Sequence, residues 1–222
     1  MNQVFFKVLI ISILRIISSN AQYHPPIQNF TPDVYKAGNQ NWNISKDDYN
    51  RTYVANNFGL LEFDGLRWTL HPTSDGSIMR SVFVKNNIVY TGAYMDFGYW
   101  LRNENGTLAY TSLADTVGFQ TIEDEQFWNI FSHKQYILFQ SLNRLVIYNQ
   151  QSNTLKTYNS DYGILDAFVN DDEIYFQDNN RTLFKIENEK SLVYLSAAAL
   201  NQSQVVGLTN SSAGQLIVTR EN

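Results

Sequence analysis

Residues 40–72, QNWNISKDDYNRTYVANNFGLLEFDGLRWTLHP, hold four short apolar runs parted by turn residues, and that layout returns in degenerate form along the chain. The copies open near Trp42-Asn-Ile, Arg80-Ser-Val, Trp128-Asn-Ile, Leu165-Asp-Ala and Val205-Val-Gly, in steps of 38, 48, 37 and 40 residues. About ten residues after each opening comes an apolar strand core: Tyr53-Val-Ala, Tyr90-Thr-Gly, Ile137-Leu-Phe, Tyr175-Phe-Gln and Ile217-Val-Thr. A third run follows at Gly59-Leu-Leu-Glu-Phe, Phe97-Gly-Tyr-Trp-Leu, Arg144-Leu-Val-Ile-Tyr and Thr182-Leu-Phe-Lys-Ile. The fourth is Trp68-Thr-Leu, Leu108-Ala-Tyr, Leu155-Lys-Thr-Tyr and Leu192-Val-Tyr-Leu. Four strands in a repeat of about 40 residues is the pattern of a β-propeller blade. The expected fold is therefore all-β, a propeller of four-stranded antiparallel blades. It has four complete blades, at residues 40–75, 78–113, 126–160 and 163–198, and the start of a fifth at 203–222.

Within the runs, alternation of apolar and polar residues dominates, as in Arg51-Thr-Tyr-Val-Ala, Ser81-Val-Phe-Val-Lys and Glu173-Ile-Tyr-Phe-Gln. Tyr, Phe, Val and Ile suit a pleated, half-buried surface, and no helical period of useful length competes. Between the runs lie Lys85-Asn-Asn, Asn103-Glu-Asn-Gly, Asn149-Gln-Gln-Ser-Asn and Asp178-Asn-Asn-Arg. Asn and Asp tolerate left-handed backbone and bond their own main chain, so they gather at hairpin tips. Propellers close with four to eight blades, so a chain that stops inside a blade is expected to be the amino-terminal part of a longer protein with an incomplete ring.

Bulk composition narrows the function classes. The chain has 222 residues, 44% hydrophobic and 14% aromatic, with a net charge of −5. That apolar content argues against disorder. Mild acidity with no basic patch argues against nucleic acid binding. With no cysteine there is no disulfide, thiolate metal site or cysteine nucleophile, and packing alone must hold the fold. Residues 1–21 read as a secretory signal peptide: Lys7, an apolar run at residues 8–14, then Ser18-Ser19-Asn20-Ala21 before Gln22. Arg15 is a blemish within it, and the run is short for a membrane span. Residues 22–39, with Pro25, Pro26 and Pro32, read as an extended lead-in.

Gly59-Leu-Leu-Glu-Phe-Asp-Gly-Leu-Arg-Trp is the most diagnostic decapeptide. With Gln40-Asn-Trp upstream and Gly92-Ala-Tyr-Met-Asp-Phe-Gly-Tyr-Trp downstream, the chain resembles the two-component-regulator propeller family, and within it the exported sensor region of large regulators from Bacteroidetes-type bacteria. The resemblance covers residues 40–176 and thins in the last repeat. It implies a periplasmic, ligand-sensing, non-catalytic propeller in a signal-transduction or transcription regulator anchored in the inner membrane. The kinase or helix-turn-helix output domain of such a protein would lie outside this chain. The Ala21-Gln22 junction fits export signals of such organisms. The partners implied are an oligosaccharide or other small ligand, the remaining blades and output domains, and a second copy in a homodimer. In the decapeptide itself, Gly59 is read as supplying a backbone conformation denied to other residues. Asp64-Gly65 is read as a hairpin turn, and Trp68 as covering the blade from the outer strand.

Catalytic and metal-binding patterns are weak beside this one. His24, His71 and His133 fall in different repeats or the lead-in without metal-ligand spacing, so no metal or other cofactor is expected. The acidic turns Asp47-Asp48, Glu123-Asp-Glu and Asp171-Asp-Glu could bind calcium or form a glycosidase pair, but charged residues are expected in turns anyway. No nucleophile elbow, phosphate loop or dinucleotide motif occurs. Sequons at Asn43, Asn50, Asn105, Asn180, Asn201 and Asn210 reflect an Asn-rich composition. The 48-residue step comes from an insert at residues 114–126, read either as a solvated loop or as part of a binding face. Trp42 and Trp128 open innermost strands at matching places with Arg80, and with Tyr94 and Asp96 they form the candidate ligand-binding set. Asn56, Asn57 and Met95 are neighbouring loop candidates. Indole and phenol rings there would stack on sugar rings, whereas packing between blades is the plainer reading. An exported propeller enzyme acting on polysaccharide and a protein-binding scaffold are the alternatives.

Overall fold

The computed structural model describes residues 27–73, 75–212 and 214–220. The chain divides into two units, Met1–Phe30 and Thr31–Asn222. The expected signal peptide lies outside the described residues, and all the strands belong to the second unit.

Four sheets of four antiparallel strands follow one another in strict chain order. The first holds β1 (Asn41–Lys46), β2 (Thr52–Asn56), β3 (Gly59–Phe63) and β4 (Trp68–His71). The second holds β5 (Met79–Lys85), β6 (Ile88–Ala93), β7 (Phe97–Arg102) and β8 (Leu108–Ser112). The third holds β9 (Phe127–His133), β10 (Tyr136–Ser141), β11 (Arg144–Asn149) and β12 (Thr154–Asn159). The fourth holds β13 (Ile164–Asn170), β14 (Glu173–Asp178), β15 (Leu183–Glu187) and β16 (Lys190–Leu195). A fifth pairs β17 (Gln204–Ser211) with β18 (Gly214–Arg220). Each is a meander, and these are the blades of a propeller.

Tight turns make the meanders possible. Asn86-Asn87 and Asn188-Glu189 both take positive φ, the conformation a two-residue hairpin needs to match strand twist. Gly59 stands at φ +131°, and a Cβ there would meet the His71 carbonyl at 2.4 Å, so the decapeptide's opening glycine is required twice over. Asp64 turns the next corner by accepting from the Leu66 and Arg67 amides at 2.8 and 2.7 Å. Trp68 then comes back on β4 and stacks on Phe63, with ring centroids 4.8 Å apart.

The apolar residues form one cluster per blade boundary instead of one central core. Tyr53, Ala55 and Leu60 meet Met79, Val82, Val89 and Trp100 between the first two blades. Tyr90 and Phe97 meet Phe127, Ile130, Ile137 and Phe139 between the second and third. Leu138, Leu145 and Ile147 meet Ile164, Ala167 and Phe176 at the next boundary, and Tyr175 and Leu183 meet Leu200 and Val205 at the last. Strand alternation explains this, because successive residues point to opposite faces and each face belongs to a different boundary. Gly92 lets two blades approach closely: a Cβ there would stand 2.6 Å from the Phe127 carbonyl. The first boundary also holds a polar network. Glu62 accepts from Arg102 and shares a hydrogen bond of 3.0 Å with His71, while Arg102 donates to the Tyr53 hydroxyl at 3.3 Å and Tyr53 to Asp47 at 3.2 Å.

Two details depart from expectation. The lead-in is not extended throughout: Pro32–Tyr35 forms one helical turn, α1, with Pro at its start where a missing amide costs nothing. Its Tyr35 is buried and lies 5.9 Å from the Trp68 ring, an apolar contact that an extended reading of the prolines has no reason to include. The fifth repeat is also set one residue later than Val205, because Val205 still pairs with Thr219 and the irregular place in the strand falls after it.

Candidate functional site

Every innermost strand carries the same backbone irregularity. On β1 the register passes from Asn41↔Asn56 to Asn43↔Ala55, which leaves Trp42 outside the ladder. On β5 it passes from Met79↔Ala93 to Ser81↔Gly92, leaving Arg80, and on β9 from Phe127↔Ser141 to Asn129↔Gln140, leaving Trp128. On β13 the odd residue is Leu165, between Ile164↔Asp178 and Asp166↔Gln177. On β17 it is Val206, between Val205↔Thr219 and Gly207↔Val218, so Val206 and not Val205 corresponds to the other four. A β-bulge sets one extra residue in a strand and re-aims its side chain. The repeat thus offers one re-aimed side chain at each blade's inner strand.

In three consecutive blades these side chains meet. The Arg80 guanidinium carbon lies 4.4 Å from the Trp42 ring centroid and 4.7 Å from that of Trp128. The indoles meet edge to face, 5.7 Å apart. A guanidinium over an indole face is attracted by the ring quadrupole, most strongly where water is partly excluded. Trp42 remains 41% exposed, so the cluster is open at the surface and not a closed blade contact. Burial lowers the Arg80 pKa, yet a guanidinium stays charged at neutral pH.

Neighbouring polar groups fix the two ends of the stack. The Trp42 indole N–H donates to Asn57 Oδ1 at 2.7 Å, and Asn57 Nδ2 donates to Gln40 Oε1 at 2.6 Å. Arg80 Nε donates to Gln126 Oε1 at 2.6 Å. Gln126 is the last residue of the insert, and the insert is firmly held. Its Glu125 is 1% exposed and accepts from Arg144 Nη2 at 2.6 Å, Arg144 Nε at 2.9 Å, Ser141 Oγ at 2.7 Å and the Ile122 amide at 3.1 Å. Burial pushes the Glu125 carboxyl up, but the bonds from Arg144 and Ser141 outweigh it and hold the group below its ordinary value. The Arg144 guanidinium lies over Phe119, whose ring meets Phe97 edge-on at 5.2 Å. The short helix α2 (Leu113–Thr116) opens the insert, with the Ser112 hydroxyl accepting from the Asp115 amide at 3.0 Å.

The loop after β6 joins this frame. Tyr94 bridges to Gln126, the Met95 amide donates to the Glu125 carbonyl at 2.7 Å, and the Tyr94 hydroxyl donates to Asp124 at 2.6 Å. Tyr94 and Met95 are both partly exposed. Trp42, Arg80, Trp128 and Tyr94 are therefore linked, directly or through Gln126. Asp96 is not brought to them: blade two takes up its carboxylate through the Tyr110 hydroxyl at 2.8 Å, the Ser112 hydroxyl at 2.7 Å and the Phe97 amide at 2.8 Å. Burial raises the Asp96 pKa even against those bonds. Asn56 is fully buried and binds the lead-in, accepting from the Gly38 amide at 3.0 Å and donating to the Gly38 carbonyl at 2.6 Å.

No sequence pattern singles out Gln126, although the length of the insert points to that segment, and Asp124 stands in the acidic turn Glu123-Asp-Glu without any sign of its bond from Tyr94. The acidic turns are spread among separate partners. Asp47 pairs with Arg51 at 2.6 Å, Asp172 with Lys134 at 3.0 Å and Glu173 with Lys185 at 2.5 Å. His71 is held by Glu62, burial lowers the pKa of His133, and His24 lies outside the described residues. Among the described residues no three His, Asp or Glu side chains are grouped to hold a metal ion, and no helix is long and apolar enough to cross a membrane.

The blades define a propeller-class protein, and solved structures agree on that fold. The extracellular domain of a protein assigned as a one component system from B. thetaiotaomicron matches with a TM-score of 0.56 at 17% identity, over 83% of this chain and 26% of its own. The same domain, described elsewhere as that of a hybrid two component system, gives 0.50 at 17% identity, over 79% of this chain and 24% of its own. Virginiamycin B lyase from Staphylococcus aureus gives 0.53 at 14% identity, over 80% of this chain and 62% of its own. This chain therefore spans about a quarter of that extracellular domain and under two thirds of the lyase. No family model and no curated protein matches the sequence.

Proposed function

We propose that the chain is the ligand-sensing propeller region of an exported bacterial signal-transduction regulator, binding its ligand without turning it over. One observation carries this reading: Trp42, Arg80 and Trp128 fill the same bulged position in three successive blades and stack there, partly open to solvent. Aromatic faces with a fixed polar edge are the equipment of a saccharide or small-ligand site. A ligand resting on all three would touch three blades at once and so favour one relative setting of them. The likeness to an extracellular sensor domain supports placing this event in the periplasm. In this reading, further blades, an output domain and a membrane anchor of a longer regulator, with a homodimer as the signalling unit, receive the change. The likeness to a lyase keeps an exported enzyme as the second reading.

The test is a titration of the purified chain with a panel of oligosaccharides, followed by tryptophan fluorescence and by chromatography of the sugar. Saturable binding that weakens when Trp42 or Trp128 becomes Ala, with the sugar recovered unchanged, supports sensing. Loss of the sugar with time favours the enzyme. A panel with no saturable member removes the sensing assignment.

A further inference from the structure

Three arginines of the blades are matched by carboxylates: Arg51 by Asp47, Arg102 by Glu62 and Arg144 by Glu125. Arg80 has no such partner among the described residues. Its Nε is taken by the neutral Gln126, and its two terminal nitrogens make no hydrogen bond or ion pair there. Two indoles cover part of the guanidinium. Removing a cation from water while withholding an anion is unfavourable, and cation–π contact offsets only part of that cost. The side chain is nevertheless fixed, by the Gln126 bond at one edge and the rings on its faces. A pre-oriented guanidinium with its terminal N–H groups unused matches an acceptor with two oxygens, a carboxylate or a sulfate.

We infer that the ligand of this site is an acidic saccharide, whose carboxylate or sulfate ester takes the terminal N–H groups of Arg80 while its ring rests on Trp42 or Trp128. The inference rests on the sensing reading and makes it more specific. Tyr94 and Asn57 flank the position, the one bridged to Gln126 and the other accepting from the Trp42 indole. Asp124 is engaged by Tyr94, and Asp96 by Tyr110 and Ser112, so neither nearby carboxylate pairs with the guanidinium. Specificity of this kind arises because a ligand lacking the anion leaves the cation unmatched.

The experiment uses three probes on the full chain: a galacturonic acid disaccharide, the matching neutral galactose disaccharide, and that neutral disaccharide carrying a sulfate ester. Indole fluorescence reports binding. At least one acidic probe is expected to bind about tenfold or more tightly than the neutral one, with an advantage that shrinks in high salt. Arg80→Gln should bring acidic and neutral probes to similar affinity while far-ultraviolet circular dichroism stays unchanged, and Arg80→Lys should recover part of the gap. The two acidic arms separate carboxylate from sulfate. Equal binding of neutral and acidic probes, or an acidic preference that survives Arg80→Gln, overturns the inference and leaves saccharide sensing standing. Failure of all three probes overturns both the inference and the saccharide reading beneath it.

Discussion

The inner strands of blades one to three and those of blades four and five share a backbone but not a surface. All five leave one residue out of the ladder at the corresponding place. In the first group that residue is Trp42, Arg80 or Trp128; in the second it is Leu165 or Val206. The first group is also framed by the insert, with Gln126 holding Arg80 and Glu125 anchoring the segment through Arg144. In the second, Leu165 offers its carbonyl, at 3.5 Å from Gln140 Nε2, and Gln140 Oε1 is buried without a partner among the described residues. The bulge is thus a property of the repeat, and the chemistry is a property of three blades.

The most damaging change to this contrast is Glu125→Ala. It strips the half-buried Arg144 of its buried counter-charge and frees the end of the insert that carries Gln126. Breaking one side of a buried pair costs about 3–5 kcal/mol, which urea unfolding should show together with lost ligand response. Phe97→Ala comes next, with a loss of about 3–4 kcal/mol, because Phe97 is fully buried against Phe119, Phe127 and Phe139. A comparable loss without any change in ligand response would show that the packed boundary and the binding face are separable.

Acid should act on the same anchor. The Glu125 carboxyl is depressed in the folded chain from its ordinary value of 4.5, so its contribution is fully present above that value. It is lost as pH falls through the folded value, because the unfolded chain takes up the proton first. Glu62 shifts in the same direction, with the His71 and Arg102 bonds outweighing its burial. In thermal melts from neutral pH downward, His133, depressed by burial, should bring a first decline below its ordinary 6.5, and the two carboxylates a further one below 4.5 that is shallower in Glu125→Gln.

The smallest effects are expected at the bulges. Trp42→Ala and Trp128→Ala should each cost about 1 kcal/mol of stability and remove most of the ligand-induced fluorescence change. Val206→Ala, at the matching place in the fifth sheet, should alter stability by about 0.5 kcal/mol or less and leave ligand binding untouched. A ligand effect from Val206→Ala would dissolve the contrast between the two groups of blades.

How much of this is legible in the chain depends on how far apart the determinants lie. Strand alternation and Asn-rich hairpins are local, so the blades and the matched places of Trp42, Arg80 and Trp128 can be read directly. The fifth repeat is misplaced by one residue because Val205 and Val206 are chemically alike, and only the register with β18 separates them. Gln126 is not legible as a partner of Arg80, since they stand 46 positions apart and no local pattern joins them. Asp96 looks like a member of the face because its neighbours Tyr94 and Met95 are, yet Tyr110 and Ser112 on β8 claim it. The turn at Pro32–Tyr35 is hidden because prolines suit an extended lead-in and the first turn of a helix alike.

The four separate boundary clusters have a mechanical consequence. Among the described residues no apolar cluster is shared by all the blades, so tension applied along the chain would meet resistance one boundary at a time. A single-molecule pulling trace should then show a staircase of partial extensions, with the fifth sheet's small cluster yielding at low force. A ligand seated across Trp42, Arg80 and Trp128 would tie the first two boundaries together and merge their steps into one. Binding would in that way be written into the protein as stiffness, and an attached partner could read it as such.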